Sequence, residues 1–208
     1  MARATTLDKL DFYPTQPWVT RALFEQVLRG RTVRSVWEPA CGGGHMAEVI
    51  REYGVRTVYA TDVHDYGYGQ VLDFLEGPRP NVQVDWIITN PPYGRDKAEA
   101  FAVRALTHPG VIGVAMLCRT IWLEGGKRYE RLFKKYPPSQ VAIFCDRVGF
   151  EEGTCVIRKS GMVPYSWFIW DLGTPKLNAL TWVPPKTNLA LTRPDDVARY
   201  GKPLVERT

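Results

Sequence analysis

The most chemically pointed segment of this 208-residue chain is Asn90-Pro91-Pro92-Tyr93. It follows the apolar run Trp86-Ile87-Ile88-Thr89, and because two prolines cannot continue a β-ladder, the tetrapeptide closes a buried strand. The carboxyl end of a central strand is where open α/β sheets place their active sites. The prolines remove backbone donors and stiffen the turn. This leaves the Asn90 carboxamide and the Pro91 carbonyl as acceptors facing a cleft, while Tyr93 offers a π-face. An amino group conjugated to a planar ring suits that set: its two N–H bonds are accepted and the ring stacks on Tyr93. A functionless Asn-Pro turn is the alternative, and the four apolar residues ahead of it speak against that.

A second segment, Glu38-Pro39-Ala40-Cys41-Gly42-Gly43-Gly44, follows the short apolar run Ser35-Val36-Trp37 and precedes Met46, Val49, Ile50 and Tyr53 at helical spacing. Glycines at a strand-to-helix turn let backbone approach a ligand while helix N–H groups point at it. Such turns serve dinucleotides, phosphates and methyl donors alike, and some are only tight turns. There is no G-x-G-x-x-G, and no Lys-Ser/Thr follows to make a phosphate loop. Asp62, about twenty residues on, is placed to accept from ribose hydroxyls or else to be an exposed turn residue.

The elements needed to position these residues can be read from periodicity. Strands are expected over 35–38, 57–61, 86–89, 111–117, 141–144 and 166–170. Helices are expected after Gly44, ending near Gly54; over 96–106 behind Asp96 as N-cap; and over 126–136. Strands that lack polar alternation and are separated by helices imply one doubly wound, mostly parallel sheet in an α/β fold. From Gly173 onward Pro, Asn, Thr and Lys dominate, so residues 1–172 are read as the folded domain and 173–208 as an irregular tail.

Composition narrows the classes. Hydrophobic residues make up 45% and charged residues 24%, which is ordinary for a globular chain, and no apolar run reaches the roughly 20 residues of a spanning helix. The sequence around Met1 to Asp8 carries no apolar secretory segment, and a cytoplasmic location is expected. Cys41, Cys118, Cys145 and Cys155 form no C-x-x-C pair and have no His at ligand spacing, so reduced thiols and no metal are expected. His45, His64 and His108 are read as structural. The excess of 27 basic over 22 acidic residues gives a net charge of +5 and favours a polyanionic partner.

Taken in order, these motifs resemble those of S-adenosylmethionine-dependent amino-methyltransferases, specifically DNA adenine-N6 methyltransferases of phage or prophage type. Phe12-Tyr13-Pro14-Thr15 with Trp18 resembles the family's N-terminal donor-binding motif. The stretch Glu38 to Gly44, including Ala40 and Gly42, resembles the methionine-binding turn. Asp62 matches the ribose-binding acid, Asp73-Phe74 the adenine-edge pair, and Asn90-Pro91-Pro92-Tyr93 the catalytic tetrapeptide. Tyr165 to Trp170 matches the family's last strand more loosely. The resemblance implies a Rossmann-like class I fold of seven strands, the last one antiparallel. It also implies S-adenosyl-L-methionine as cofactor and double-stranded DNA with a flipped-out adenine as substrate, in a bacterial host cell. The amine would be held by Asn90 and Pro91 for direct transfer. No Pro-Cys occurs, which excludes the cysteine-nucleophile route of cytosine-C5 enzymes.

No separate recognition domain is apparent, so DNA contacts are sought in the basic stretch 119–136. There Arg119, Lys127, Arg128, Arg131, Lys134 and Lys135 outnumber Glu124 and Glu130 and alternate with Trp122, Tyr129 and Phe133 as wedges or platforms. Lys176, Lys186 and Arg193 extend the set. A solvated amphipathic helix is the competing account of the same stretch. At the level of function two others stand: a methyltransferase for ribosomal-RNA guanine N2 or protein glutamine, and a non-catalytic donor-binding or DNA-binding subunit.

Overall fold

A computed structural model of the chain describes residues 12–94, 96–173 and 178–203. Lys176 lies outside them. The centre is a sheet formed by β1 (Ser35–Glu38), β2 (Thr57–Asp62), β3 (Gln70–Val71), β4 (Trp86–Thr89), β5 (Gly113–Arg119), β6 (Gln140–Phe144), β8 (Tyr165–Asp171) and β9 (Ala179–Val183). Their order is β3-β2-β1-β4-β5-β8-β6-β9. All neighbours pair in parallel except β8, which runs antiparallel to both β5 and β6. The chain moves outward from β1 to β3, then returns to β4 on the other side of β1. This reversal opens a crevice beyond the carboxyl ends of β1 and β4. A separate ribbon pairs β7 (Val156–Ile157) with β10 (Lys202–Pro203).

Side chains alternate between two cores, as a sheet covered on both faces requires. Val36, Trp86, Ile88, Ala115, Leu117, Trp167 and Ile169 face one core, with α1 (Pro17–Ala22, continued by a π-turn over Leu23–Val27) and α2 (His45–Arg51) above them. Trp37, Ile87, Val114, Met116, Phe168 and Trp170 face the other, under α3 (Lys97–Leu106). Of the seven tryptophans, six are buried. Trp37 Nε1 donates to Thr61 Oγ1 at 2.9 Å, and Trp167 Nε1 donates to the Val19 carbonyl at 3.1 Å. Gly113 is required where it stands, because a Cβ there would come 2.3 Å from the Trp86 ring.

Three expectations need correction. The sheet holds eight strands among the described residues, because β9 adds one beyond β6 along Gln140↔Ala179 to Phe144↔Val183. The segment after 173 is therefore not irregular where it is described. It also forms α5 (Thr187–Leu191) and α6 (Asp196–Tyr200), and a buried ion cluster fixes them. Arg21 donates to Asp196 at 2.6 Å and to Glu52 at 3.0 Å, and Glu52 also receives Arg193, Arg199 and the Tyr200 hydroxyl. Finally, Asp96 occupies the N-cap position of α3 with φ 62° but makes no side-chain cap. Its carboxylate faces Arg131 at 3.4 Å instead.

The basic helix expected over 126–136 is α4 (Gly126–Arg128) followed by a π-turn over Tyr129–Phe133. Among the described residues no helix is long and apolar enough to cross a membrane.

Candidate active site

A cavity of about 210 Å³ fills the crevice at the β1–β4 reversal. It gathers residues far apart in sequence: Tyr13, Pro14 and Thr15; Glu38, Ala40 and Gly42; Asp62; Asp73 and Phe74; and Asn90, Pro91, Pro92 and Tyr93. Each group sits in a segment that ends or follows a strand, except the first, which leads into α1. Trp18 and Gly44 do not line it. Trp18 is buried edge-on against Phe144, ring centres 5.3 Å apart, because α1 turns it toward the sheet. Gly44, at φ 82°, instead sets the first turn of α2, and a Cβ on it would meet the Tyr68 ring at 2.5 Å.

The floor is acidic. Asp62 accepts from the Gly42 N–H at 2.9 Å through one oxygen and from the His64 N–H at 3.1 Å through the other, leaving lone pairs on both. Gly42 has φ 48°, and a Cβ would strike the Phe12 ring at 2.5 Å, so only glycine lets the turn and Phe12 meet. Glu38 is buried. One carboxyl oxygen accepts from the Ala47 N–H, and the other, Oε2, has no hydrogen-bond partner. Burial, with the nearby Asp62 charge adding to it, lifts the Glu38 carboxyl well above the usual range. Asp73 Oδ1 accepts from the Leu75 and Glu76 N–H groups at 2.7 and 3.2 Å, closing a turn that presents Phe74. Phe74 packs edge-on against Trp37.

The tetrapeptide forms the opposite wall. Asn90 Nδ2 donates to Thr15 Oγ1 at 3.1 Å and to the Tyr13 carbonyl at 3.4 Å. Those two acceptors fix which end of the amide is oxygen, and Oδ1 accepts from the Tyr93 hydroxyl. That hydroxyl also lies 2.8 Å from the Leu117 carbonyl, so its single proton is shared between two acceptors. Tyr93 is thus tied back to β5, with the Arg119 guanidinium 5.7 Å from its ring centre.

Several lining residues escaped the sequence reading: His45, His64, Tyr66, Lys97 and Phe101. Tyr66 stacks at 4.5 Å on Phe12, the ring that covers Gly42. His45 Nε2 lies 3.0 Å from the Tyr200 carbonyl and must donate to it, which leaves Nδ1 of the neutral ring as an acceptor without a partner. Burial lowers the His45 pKa from its ordinary value. Only its place just after the glycines could have singled out His45. His108 donates to the Pro109 carbonyl in its own turn.

The basic stretch is largely committed to its own neighbours. Arg128 donates to the Trp122 and Glu124 carbonyls at 2.8 and 2.5 Å and covers the Trp122 ring. Arg131 pairs with Asp96 and Glu99, Lys134 pairs with Glu130, and Lys135 lies over Tyr136. Trp122 and Phe133, expected as wedges or platforms, pack edge-on with each other and with the Phe168 core instead. Arg119 and Arg128 line a second hollow of about 320 Å³ behind Tyr93. Cys41, Cys118 and Cys155 are buried free thiols and Cys145 is exposed.

No family model and no curated protein matches the chain. Solved structures match at the level of fold. A methyltransferase subunit of a type I restriction-modification system from Streptococcus thermophilus aligns over 83% of this chain with a TM-score of 0.58 and 12% identity. A Listeria monocytogenes protein assigned as a class I S-adenosylmethionine-dependent methyltransferase aligns over 83% of this chain and 66% of its own, at 0.52 and 17%. A Pyrococcus horikoshii protein assigned as an RNA methyltransferase aligns over 75% of this chain and 80% of its own, at 0.52 and 14%. The chain spans about half the length of the Streptococcus subunit, 47%. The fold is the Rossmann-like class I methyltransferase fold, with its strand-order reversal and single antiparallel strand.

Proposed function

We propose that this protein transfers the methyl group of S-adenosyl-L-methionine to the N6 amine of an adenine turned out of double-stranded DNA. The observation that carries the reading is the convergence, in one cavity, of a buried carboxyl group with one unpartnered oxygen, a ribose-suited acid and the Asn-Pro-Pro-Tyr wall. The cavity fits the cofactor by its donor set. Glu38 Oε2 needs a cationic or N–H-bearing partner, Asp62 keeps lone pairs for hydroxyls, and Phe74 gives a planar ring an apolar face.

Bound there, the cofactor supplies an electrophilic methyl group. The chain's part is orientation. Asn90 Oδ1 and the Pro91 carbonyl accept the two N–H bonds of the amine, which turns its lone pair toward the methyl. As the nitrogen gains positive charge these acceptors hold it more tightly, so they favour the transition state over the ground state. Tyr93 stacks on the base.

Incubation with tritiated S-adenosylmethionine and unmethylated DNA, RNA or ribosomal protein, followed by digestion, tests the reading. Label in N6-methyladenine from DNA is expected. Label confined to RNA or to glutamine would replace it with one of the other amino-methyltransferase chemistries, and no label with any substrate would favour a donor-binding subunit.

A further inference from the structure

The loop entering β8 lies at the end of the sheet where the cavity opens, and its backbone is tightly held. Gln16 Nε2 donates to the Lys159 and Gly149 carbonyls at 2.7 and 2.8 Å. At the other foot the Thr120 N–H donates to the Pro164 carbonyl at 2.9 Å. Between the feet, Gly161 lies so close to the Val148 carbonyl that a Cβ would come within 2.4 Å of it. Yet Met162, at the tip, is 95% exposed. The free protein therefore gains nothing from burying this apolar side chain.

The loop is next to the tetrapeptide. Tyr165 lies 6.2 Å, ring centre to ring centre, from Tyr93, and Arg119 is opposite Tyr165 in the β5–β8 register. Ile121, 63% exposed, follows the Thr120 that holds Pro164. Arg119 and Arg158 are exposed and in no ion pair among the described residues, whereas Lys159 pairs with Glu151. An apolar tip on a fixed backbone, with guanidinium groups nearby that form no ion pair among the described residues, matches a stack of bases flanked by phosphates.

We propose that Met162, supported by Ile121, is the wedge that enters the DNA base stack and fills the space left by the extruded nucleotide. The proposal rests on the functional reading above and adds the group that opens the duplex. An unbranched thioether suits an irregular gap.

The test compares the parent, Met162→Ala and Met162→Leu on unmethylated genomic DNA, in duplex form and after heat denaturation to single strands. Met162→Ala should lower kcat/KM on the duplex by about tenfold or more and leave single strands within about twofold, because a base already unstacked needs no wedge. Met162→Leu should restore most of the duplex rate. Cofactor affinity by calorimetry should stay parental and certifies folding. Equal rates for parent and Met162→Ala, or equal losses on both DNA forms, overturn the wedge while the functional reading stands. A parent inactive on both forms overturns the DNA reading and the wedge with it.

Discussion

Asn90 is held from both sides before a substrate arrives, by Thr15 and Tyr13 at its nitrogen and by Tyr93 at its oxygen. Such preorganised acceptors are commonly worth about two to three decades in rate. Asn90→Ala should therefore lower kcat by that amount while the protein stays folded, its melting temperature falling modestly with the lost hydrogen bonds, and near-parental turnover would sink the assignment. Glu38 gives the cavity a proton linkage. Burial and the Asp62 charge favour the neutral acid when nothing cationic is bound, and a cationic ligand favours the carboxylate, so binding at a pH below the lifted pKa releases protons. Affinity should rise with pH until Glu38 ionises on its own and then level off. Calorimetry in buffers of different ionisation enthalpy should show proton release for the parent and none for Glu38→Gln. The tetrapeptide, Glu38 and Asp62 were legible because strand ends announce them, whereas Asp73 came only with the family resemblance. His45, Lys97 and Phe101 were not, because their part is decided by how α2 and α3 start. Trp18 misled because an aromatic beside a motif carries no sign of which way its helix will face.

At the scale of elements, the pairing of Arg21 with Asp196 anchors α6 to α1. Both groups are buried, and removing one partner of such a pair typically costs about 3–5 kcal/mol. Asp196→Ala should lower the urea midpoint accordingly. Burial alone would raise the Glu52 carboxyl, but hydrogen bonds from Arg21 and Tyr200 and the charges of Arg21 and Arg193 prevail, and its pKa falls below the ordinary value. The stability this group contributes is present above its unfolded pKa and is lost as pH falls through the folded one. Acid denaturation of Glu52→Gln and the parent should converge as Glu52 is titrated. The strands flanking the reversal were legible from unbroken apolar runs. The tail was not, since β9, α5 and α6 are short and owe their order to distant partners such as Gln140 and Arg21.

For the whole molecule, the net charge of +5 favours the polyanionic partner proposed above, and such binding should weaken with salt in proportion to the phosphates its cations neutralise. The hydrogen bonds and ion pairs of Arg128, Arg131 and Lys134 reduce what the basic stretch can offer. Lys127→Ala should lower the log–log salt slope by about 0.9 if that lysine neutralises one phosphate. Arg128→Ala should instead act mainly on stability, because it uncovers the Trp122 and Glu124 carbonyls. An unchanged slope for Lys127→Ala would move the contact to another cation, with Arg158 the next to replace.

The uneven burial of the tryptophans also gives the molecule an optical label of its own. Trp182, on the outer strand β9, is 60% exposed, while the other six indoles are at 7% or less. Iodide in solution therefore reaches one emitter and leaves six dark to it. β9 lies four strand spacings from β4, about 19 Å at roughly 4.8 Å each. Collisional quenching thus reads the sheet's far edge independently of the cavity. Cofactor binding should leave the quenchable fraction unchanged, association through β9 should erase it, and Trp182→Phe should remove it altogether.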